Sequence, residues 1–200
     1  ITYNFEEDII ASAKTICKRY KGNQAHAEYL EQMAGKFFDL LQKYHGLGER
    51  ERLLLRLAAI LHDCGKFISM SAPGECAYQI IMSTEILGIS HMEREMVASI
   101  VRYNTMELPN FREFDGKLGN DEYLIVMKLA AILRVCNALD RSHRQKFADM
   151  KLTIKDSNIV ITTAYPDNIT LEKKTLQDKQ DFFEEVYGLG FEIKQKKKKQ

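Results

Sequence analysis

The residues best suited to chemistry are His62 and Asp63, in the segment His62-Asp63-Cys64-Gly65-Lys66. They follow residues 53–61, the most apolar stretch of the chain, which we expect at the centre of a helical bundle. A buried polar group needs a hydrogen-bond partner, and a buried charge needs a counter-charge or a metal ion. Because successive residues of a helix point about 100° apart, the pair can share one ion only near a helix end.

Two further residues are placed to complete such a site. His26 stands at the start of a predicted helix and Asp140 in a later one, both beside apolar positions. With His62 and Asp63 they would supply two imidazoles and two carboxylates. This set suits Mn, Fe, Zn or Mg and leaves positions open for water and phosphate oxygens. The sequence therefore predicts one divalent ion held by these four residues. The alternative is a buried polar network that braces the helices without metal.

Other residues are candidates for contact with a substrate. Asp63 and Lys66 are the candidate catalytic residues if the site is active, and Lys66 could bind phosphate or satisfy carbonyls at a helix end. Arg102 and Arg134 each lie in an apolar stretch and could bind phosphate oxygens bidentately. His143 lies one turn beyond the predicted metal ligand of the late helix and could reach the same site, although we expect its side chain to be exposed.

Glycine motifs for nucleotides and a serine-nucleophile motif are missing from the sequence. It contains no Gly-x-x-x-x-Gly-Lys-Ser/Thr, no Gly-x-Gly-x-x-Gly and no Gly-x-Ser-x-Gly segment. The candidate chemistry therefore depends on the histidine and aspartate residues.

The elements that must position these residues are mostly helices, because apolar residues recur at helical spacing. We expect helices over residues 5–20, 24–44, 49–66, 75–87 and 121–144, and one that starts with a capping box at Ser90 and Glu93. The polar stretch between Asn104 and Asn120 predicts a long loop.

At about Lys151 the apolar period changes to that of strands. We expect strands near residues 151–155, 159–163 and 191–193, with a helix over 176–187. The fold class is therefore mainly α, a helical bundle with a small C-terminal α+β appendage. The predicted domains are a helical domain over 1–148, a β-β-α-β appendage over 149–193 and a lysine-rich tail over 194–200.

Composition and charge exclude several classes of protein. Of the 200 residues, 45% are hydrophobic and 28% charged, which is typical of a soluble globular protein, and no apolar run is long enough to span a membrane. The four cysteines are scattered, so we expect buried free thiols and a cytoplasmic location. The net charge is +1 and the tail holds five lysines, so residues 1–193 carry −4, which disfavours duplex nucleic acid as a partner.

The ordered set of His26, then His62-Asp63-x-Gly-Lys, then Asp140 resembles the metal-dependent phosphohydrolases of the HD superfamily. That resemblance implies an HD-domain-like bundle in which the four residues bind metal and metal-activated water hydrolyses phosphate esters. Two-metal members supply extra histidines in the stretch where this chain offers Glu75 and Asn104. A two-metal centre is therefore disfavoured, which leaves two alternatives, a one-metal centre and an empty or degenerate site.

Nearly the whole chain resembles the C-terminal domain of the exopolyphosphatase and guanosine pentaphosphate phosphatase (Ppx/GppA) family. The likeness is carried by residues 56–62, Ala77-Tyr78, residues 95–103 and the final segments Leu-Thr-Ile, Ile-Val-Ile and Gly-Phe-Glu-Ile. It implies a fragment that clamps inorganic polyphosphate, or guanosine pentaphosphate, against a missing N-terminal actin/sugar-kinase-like domain. That domain would release terminal orthophosphate.

Two other functions stay open at this point. The chain could be a self-sufficient metal phosphohydrolase that acts on nucleotides or phosphomonoesters, with the ion at His26, His62, Asp63 and Asp140. It could instead be a non-catalytic module for regulation or for formation of a homodimer.

Overall fold

A computed structural model describes residues 5–114 and 117–196, which form a helical bundle and a small sheet. The helices, in chain order, are α1 (Phe5–Arg19), α2 (Gln24–Leu40), α3 (Gln42–His45), α4 (Glu49–Leu61), α5 (Pro73–Ser83), α6 (His91–Thr105), α7 (Asn120–Leu139) and α8 (Thr170–Tyr187). The strands are β1 (Lys151–Lys155), β2 (Asn158–Thr163) and β3 (Gly190–Gln195). The predicted fold class, a helical bundle with a small α+β appendage, is confirmed.

Helix α4 is the central rod of the bundle. All of residues 53–61 are buried except Arg56, and the helix packs against α1, α2, α6 and α7. Arg56 is paired with Glu31 of α2 and Glu6 of α1, so the polar residue of this stretch also ties helices together. The apolar run thus explains both the burial of α4 and the number of its neighbours.

The end of α4 places the residues singled out above. The helix ends at Leu61 instead of continuing to residue 66, and a short 3-10 helix, Cys64–Phe67, follows His62 and Asp63. A Cβ atom at Gly65 would lie 1.9 Å from the Pro73 carbonyl oxygen, so glycine lets this turn pack directly on α5. The pair therefore lies at a helix end, as one shared ion requires.

Several predicted boundaries were wrong. The second helix breaks at Leu41, and α5 begins at Pro73, a residue that favours the first helical position. Helix α8 begins at Thr170, six residues earlier than predicted, because its first turn buries the charged Glu172, which apolar periodicity does not detect. The polar loop lies between Thr105 and Asn120, and residues 115 and 116 within it are outside the described ranges.

Helix α7 ends at Leu139, five residues before the predicted end, and a compact turn follows over residues 140–145. His143 and Gln145 both have left-handed backbone conformations, with φ of 54° and 52°. Asp140 accepts two backbone hydrogen bonds within this turn. Its carbonyl oxygen accepts from the amide of His143 at 2.9 Å, and its side-chain Oδ1 accepts from the amide of Gln145 at 2.8 Å. Asp140 therefore holds the turn that carries His143.

The appendage has mixed strand pairing. Strands β1 and β2 form an antiparallel hairpin whose two turn residues, Asp156 and Ser157, have the positive φ values that such turns need. Strand β3 pairs with β2 in parallel, and α8, which joins the two, packs on α7. Lys194, predicted as the start of the tail, belongs to β3, and residues 197–200 of that tail lie outside the described residues.

The cysteine and membrane predictions can be compared with this fold. Cys17, Cys64 and Cys136 are buried free thiols, and Cys76 is a partly buried one. Within the described ranges, none of the helices combines the length and the apolar character needed to cross a bilayer.

Candidate metal centre

His26 and His62 meet in the interior of the bundle, with their Nε2 atoms 3.2 Å apart. His26 lies in the first turn of α2, where the Asn23 side chain caps the helix by accepting from the His26 backbone. His62 caps the end of α4, and both imidazoles are buried. Two helix ends thus bring the two predicted histidines together.

The other ring nitrogens are held by oxygen atoms. Nδ1 of His62 lies 2.7 Å from the Ala59 carbonyl oxygen, and Nδ1 of His26 lies 2.6 Å from Oδ2 of Asp140. Carbonyl and carboxylate oxygens accept hydrogen bonds, so each Nδ1 is the donor and each Nε2 faces the other ring. Two Nε2 atoms at this distance share either a proton, in a hydrogen bond between the rings, or a metal ion that both bind.

Asp63 places a carboxylate beside these nitrogens. Its Oδ1 lies 3.2 Å from Nε2 of His62 and 2.7 Å from Nζ of Lys66. Burial raises the pKa of Asp63, but the attraction of His62 and Lys66 is larger in sum and holds the pKa below its usual value. Burial also lowers the pKa of His62 to about 4. At neutral pH the site therefore offers a charged carboxylate and a neutral imidazole, the forms that bind metals.

His143 joins the cluster from the turn after α7. Its ring stacks on that of His26, with centroids 3.8 Å apart and planes 14° apart. One ligand atom each of His26, Asp63 and His143 lie within 4.8 Å of one another. His143 is exposed, as expected, and it also reaches the site. Its position about one helical turn beyond Asp140 in the sequence had indicated that it could. Burial and the nearby His26 lower its pKa.

Asp140 is buried behind His26. Its Oδ2 accepts from the His26 ring and its Oδ1 from the backbone of Gln145, so both oxygens have hydrogen-bond donors. The carboxylate therefore reaches the cluster through the imidazole of His26.

Of the predicted phosphate-binding residues, only Lys66 has a contact with the cluster. Its side chain is 38% exposed and pairs with Asp63. Arg102 pairs with Glu75 at 2.8 Å and lies over the rings of Tyr78 and Tyr103. Glu75, which the resemblance to two-metal enzymes singled out, is thereby paired with an arginine.

Arg134 lies in different surroundings. Its guanidinium donates to the carbonyl oxygens of Tyr103 and Met106 and lies over the ring of Phe182. It lines a cavity of about 580 Å³ whose charged lining also includes Lys179 and four acidic side chains, Glu107, Asp178, Asp181 and Glu185. This excess of acid opposes the binding of a polyanion beside Arg134.

Asn104 lines the same cavity. Its side chain is buried, and neither its amide nitrogen nor its amide oxygen has a hydrogen-bond partner among the described residues. It is not part of the histidine cluster.

The cluster fits a divalent ion. It combines two buried imidazoles, whose Nε2 atoms face each other, with a charged carboxylate, which is a donor set that Zn, Mn and Fe accept. The hydrogen bonds from each Nδ1 to an oxygen are the support that metal-binding histidines usually have.

Comparison with known proteins agrees with this architecture. None of the curated proteins matches the chain. Residues 10–181 match the family model described as Ppx/GppA phosphatase, domain III. The match covers most of the chain, from α1 into α8. The chain therefore belongs to the Ppx/GppA phosphatase family, as a representative of its domain III.

Proposed function

We propose that this domain binds the phosphate chain of inorganic polyphosphate, or of guanosine pentaphosphate, at a divalent ion held by His26, His62 and Asp63. It presents that chain to a separate actin/sugar-kinase-like domain, which releases terminal orthophosphate. The observation that carries the proposal is that Nε2 of His26 and Nε2 of His62 face each other at 3.2 Å beside the carboxylate of Asp63. Membership of the phosphatase family supports phosphate as the ligand.

The chain's own residues divide the work of binding. The bound ion supplies a Lewis acid for phosphate oxygens. Asp63 keeps its negative charge and holds Lys66 at 2.7 Å. Because Lys66 is partly exposed, its ammonium group can turn to a phosphate oxygen while it stays near the cluster.

Arg102 and Arg134 contribute less to this proposal. Arg102 already pairs with an acid, and the cavity at Arg134 is rich in acid. A role for either residue in phosphate binding stays a prediction from the sequence.

Calorimetric titration of the 200-residue chain with inorganic polyphosphate, with and without Mn²⁺, tests the proposal. We expect binding that requires the ion. Asp63→Asn should lose both the ion and polyphosphate binding. Lys66→Ala should retain the ion and bind polyphosphate about tenfold more weakly, the value of one charged hydrogen bond.

Two exposed pairs supply matched controls. Asp39 pairs with Arg52 and Lys14 with Glu28, both on the surface. Asp39→Asn and Lys14→Ala should therefore leave the titrations unchanged. Polyphosphate binding that survives a chelator, or that Asp63→Asn leaves intact, would refute the proposal.

A second function has support from the same cluster. A self-sufficient phosphohydrolase would also use a charged carboxylate such as Asp63 beside two histidines that could hold an ion. Release of orthophosphate from nucleotides or phosphomonoesters by the isolated chain, lost in Asp63→Asn and kept in Asp39→Asn, would favour that function over the first.

A further inference from the structure

Asp140 and the candidate ion lie at opposite edges of the His26 ring. Nδ1 of His26 donates to Oδ2 of Asp140 at 2.6 Å, whereas Nε2 faces His62. The two nitrogens of an imidazole point away from one another, so an ion bound at Nε2 cannot also be bound by the oxygen that accepts from Nδ1. The other oxygen, Oδ1, accepts from the backbone of Gln145.

This arrangement is that of a carboxylate behind a metal-binding histidine. Such a partner fixes which nitrogen carries the proton, orients the ring and raises its basicity. In this chain the same carboxylate also holds the turn over residues 140–145.

The turn over residues 140–145 carries His143, whose ring nitrogen could bind the ion in place of an Asp140 oxygen. His143 stands in a left-handed conformation, which is uncommon for a residue other than glycine. Strain of this kind persists where the surroundings hold it, and it clusters at binding sites. Here the conformation brings a ligand atom of His143 within 4.8 Å of those of His26 and Asp63.

We infer that His143, and not Asp140, completes the ligand set of His26, His62 and Asp63, and that Asp140 is a positioning residue that orients His26 and holds the turn of His143. The inference rests on the proposed ion site. Three imidazoles and one carboxylate form a nitrogen-rich set, so the site takes a transition ion such as Zn²⁺, Mn²⁺ or Co²⁺ in preference to Mg²⁺.

Because its ring is stacked on that of His26, His143 must move before both can bind the same ion. The planes of His26 and His143 are 14° apart, so their in-plane lone pairs run side by side and do not meet. His143 must tilt out of the stack to share the ion. His143 is exposed, and apart from the stack its Nδ1 lies 3.5 Å from Nδ2 of Asn23.

Loading with Co²⁺ separates the two roles, because the visible absorption of Co²⁺ depends on its ligands. His143→Phe keeps a flat ring on His26 but removes the donor, so the bands should shift and affinity should fall. Asp140→Asn keeps one oxygen that can accept from the His26 ring, although its amide nitrogen cannot accept from the Gln145 backbone. The bands should therefore shift less than in His143→Phe, while affinity falls about 10- to 100-fold. His91, which is exposed at the start of α6, supplies the control His91→Phe, which should change neither.

A second measurement needs no variant. On titration of the wild-type chain with Zn²⁺, the side-chain nitrogen signals of His143 should shift together with those of His26 and His62, and excess Mg²⁺ should not reverse the shift. Band shifts in Asp140→Asn with none in His143→Phe, or a His143 signal that Zn²⁺ leaves unmoved, would overturn the inference. Failure of the wild-type chain to retain any ion would overturn the ion site itself. Retention of the ion without polyphosphate binding would refute only the proposed function.

Discussion

Asp63 and Asp140 are the same chemical group, yet their surroundings differ, and we propose different roles for them. Asp63 has an oxygen that faces both an imidazole nitrogen and Lys66, and its side chain is 13% exposed. Asp140 is enclosed, and its two oxygens are committed to the His26 ring and to a backbone amide. At the scale of the residue, the direction of each oxygen decides whether a carboxylate can bind an ion or orient a ligand.

The sequence could predict the surroundings of Asp63 better than those of Asp140. Asp63 follows a buried apolar run, so its place beside His62 towards the end of that helix could be predicted, although the break after Leu61 could not. The orientation of Asp140 depends on the turn over residues 140–145, in which His143 and Gln145 take positive φ values. Neither residue is glycine, so no local signal in the sequence marks that turn.

Asn104 leads to a prediction about a single side chain. Both polar atoms of its amide are buried without a hydrogen-bond partner among the described residues. Asn104→Leu, which is similar in shape, should therefore raise the free energy of unfolding by about 1–2 kcal/mol. Urea denaturation monitored by circular dichroism measures the change. Asn104→Asp should have the opposite effect, because a buried charge lowers the free energy of unfolding. A clear loss of stability in Asn104→Leu would show that the amide is hydrogen-bonded in solution.

At the scale of the element, the junction between α4 and α5 controls the candidate site. The 3-10 helix Cys64–Phe67 packs so closely on α5 that only glycine fits at position 65. The predicted helix to residue 66 would have turned Asp63 away from this junction. Helical periodicity could not show the break, because the residues after Leu61 contact α5 instead of continuing the apolar face of α4.

Gly65→Ala tests this junction. The added Cβ would meet backbone atoms of Pro73 and Ala77, which cannot move as a flexible side chain does, so the free energy of unfolding should fall by at least about 2 kcal/mol. The matched change Gly48→Ala meets nothing closer than 3.4 Å and should stay within about 1 kcal/mol of wild type. Equal effects of the two variants in urea denaturation would contradict the packing described for Gly65.

The start of α6 provides a prediction about pH. A hydrogen bond to Arg50 is the main reason that the pKa of Glu93 falls to about 2, and its cap on the Ser90 backbone adds to this. A lowered carboxylate pKa stabilises the fold above the unfolded pKa of about 4.3, and the effect is lost as pH falls towards 2. Because the pair is partly exposed, we expect Glu93→Gln to cost about 1 kcal/mol at pH 7.

The test is a series of denaturation curves between pH 7 and pH 2. The gap between wild type and Glu93→Gln should be constant down to about pH 5 and then close. Glu7→Gln, at an exposed position of α1, should show no such gap. A gap that widens in acid would contradict the assigned pKa shift.

At the scale of the whole molecule, a buried ion pair joins the bundle to the appendage. Nζ of Lys146 lies 3.0 Å from Oε2 of Glu172, at the start of α8, and 2.8 Å from the Asn168 carbonyl oxygen. At the other end of α8, the hydroxyl of Tyr187 donates to the carbonyl oxygen of Lys128 in α7. This hydrogen bond joins the two helices. The predicted division at residue 148 into two domains stays a prediction, but these contacts favour joint unfolding.

Lys146→Met should therefore lower the free energy of unfolding by about 3–5 kcal/mol, because it leaves the enclosed carboxylate of Glu172 without a counter-charge. The double variant Lys146→Met with Glu172→Leu should recover most of the loss, since neither charge remains. Urea denaturation followed separately through near- and far-ultraviolet circular dichroism measures both. A single variant within 1 kcal/mol of wild type would show that the pair is solvated.

The order of the strands has a consequence for the behaviour of many molecules together. Strands β1 and β3 are the outer strands of the described sheet, and an outer strand presents unpaired amides to which another copy could add. Exposed charged side chains interrupt both edges, with Lys151 and Lys155 on β1 and Glu192 and Lys194 on β3. Pairing of two β1 edges would bring lysines together, so concentrated solutions should resist association through β1 for as long as these lysines stay protonated.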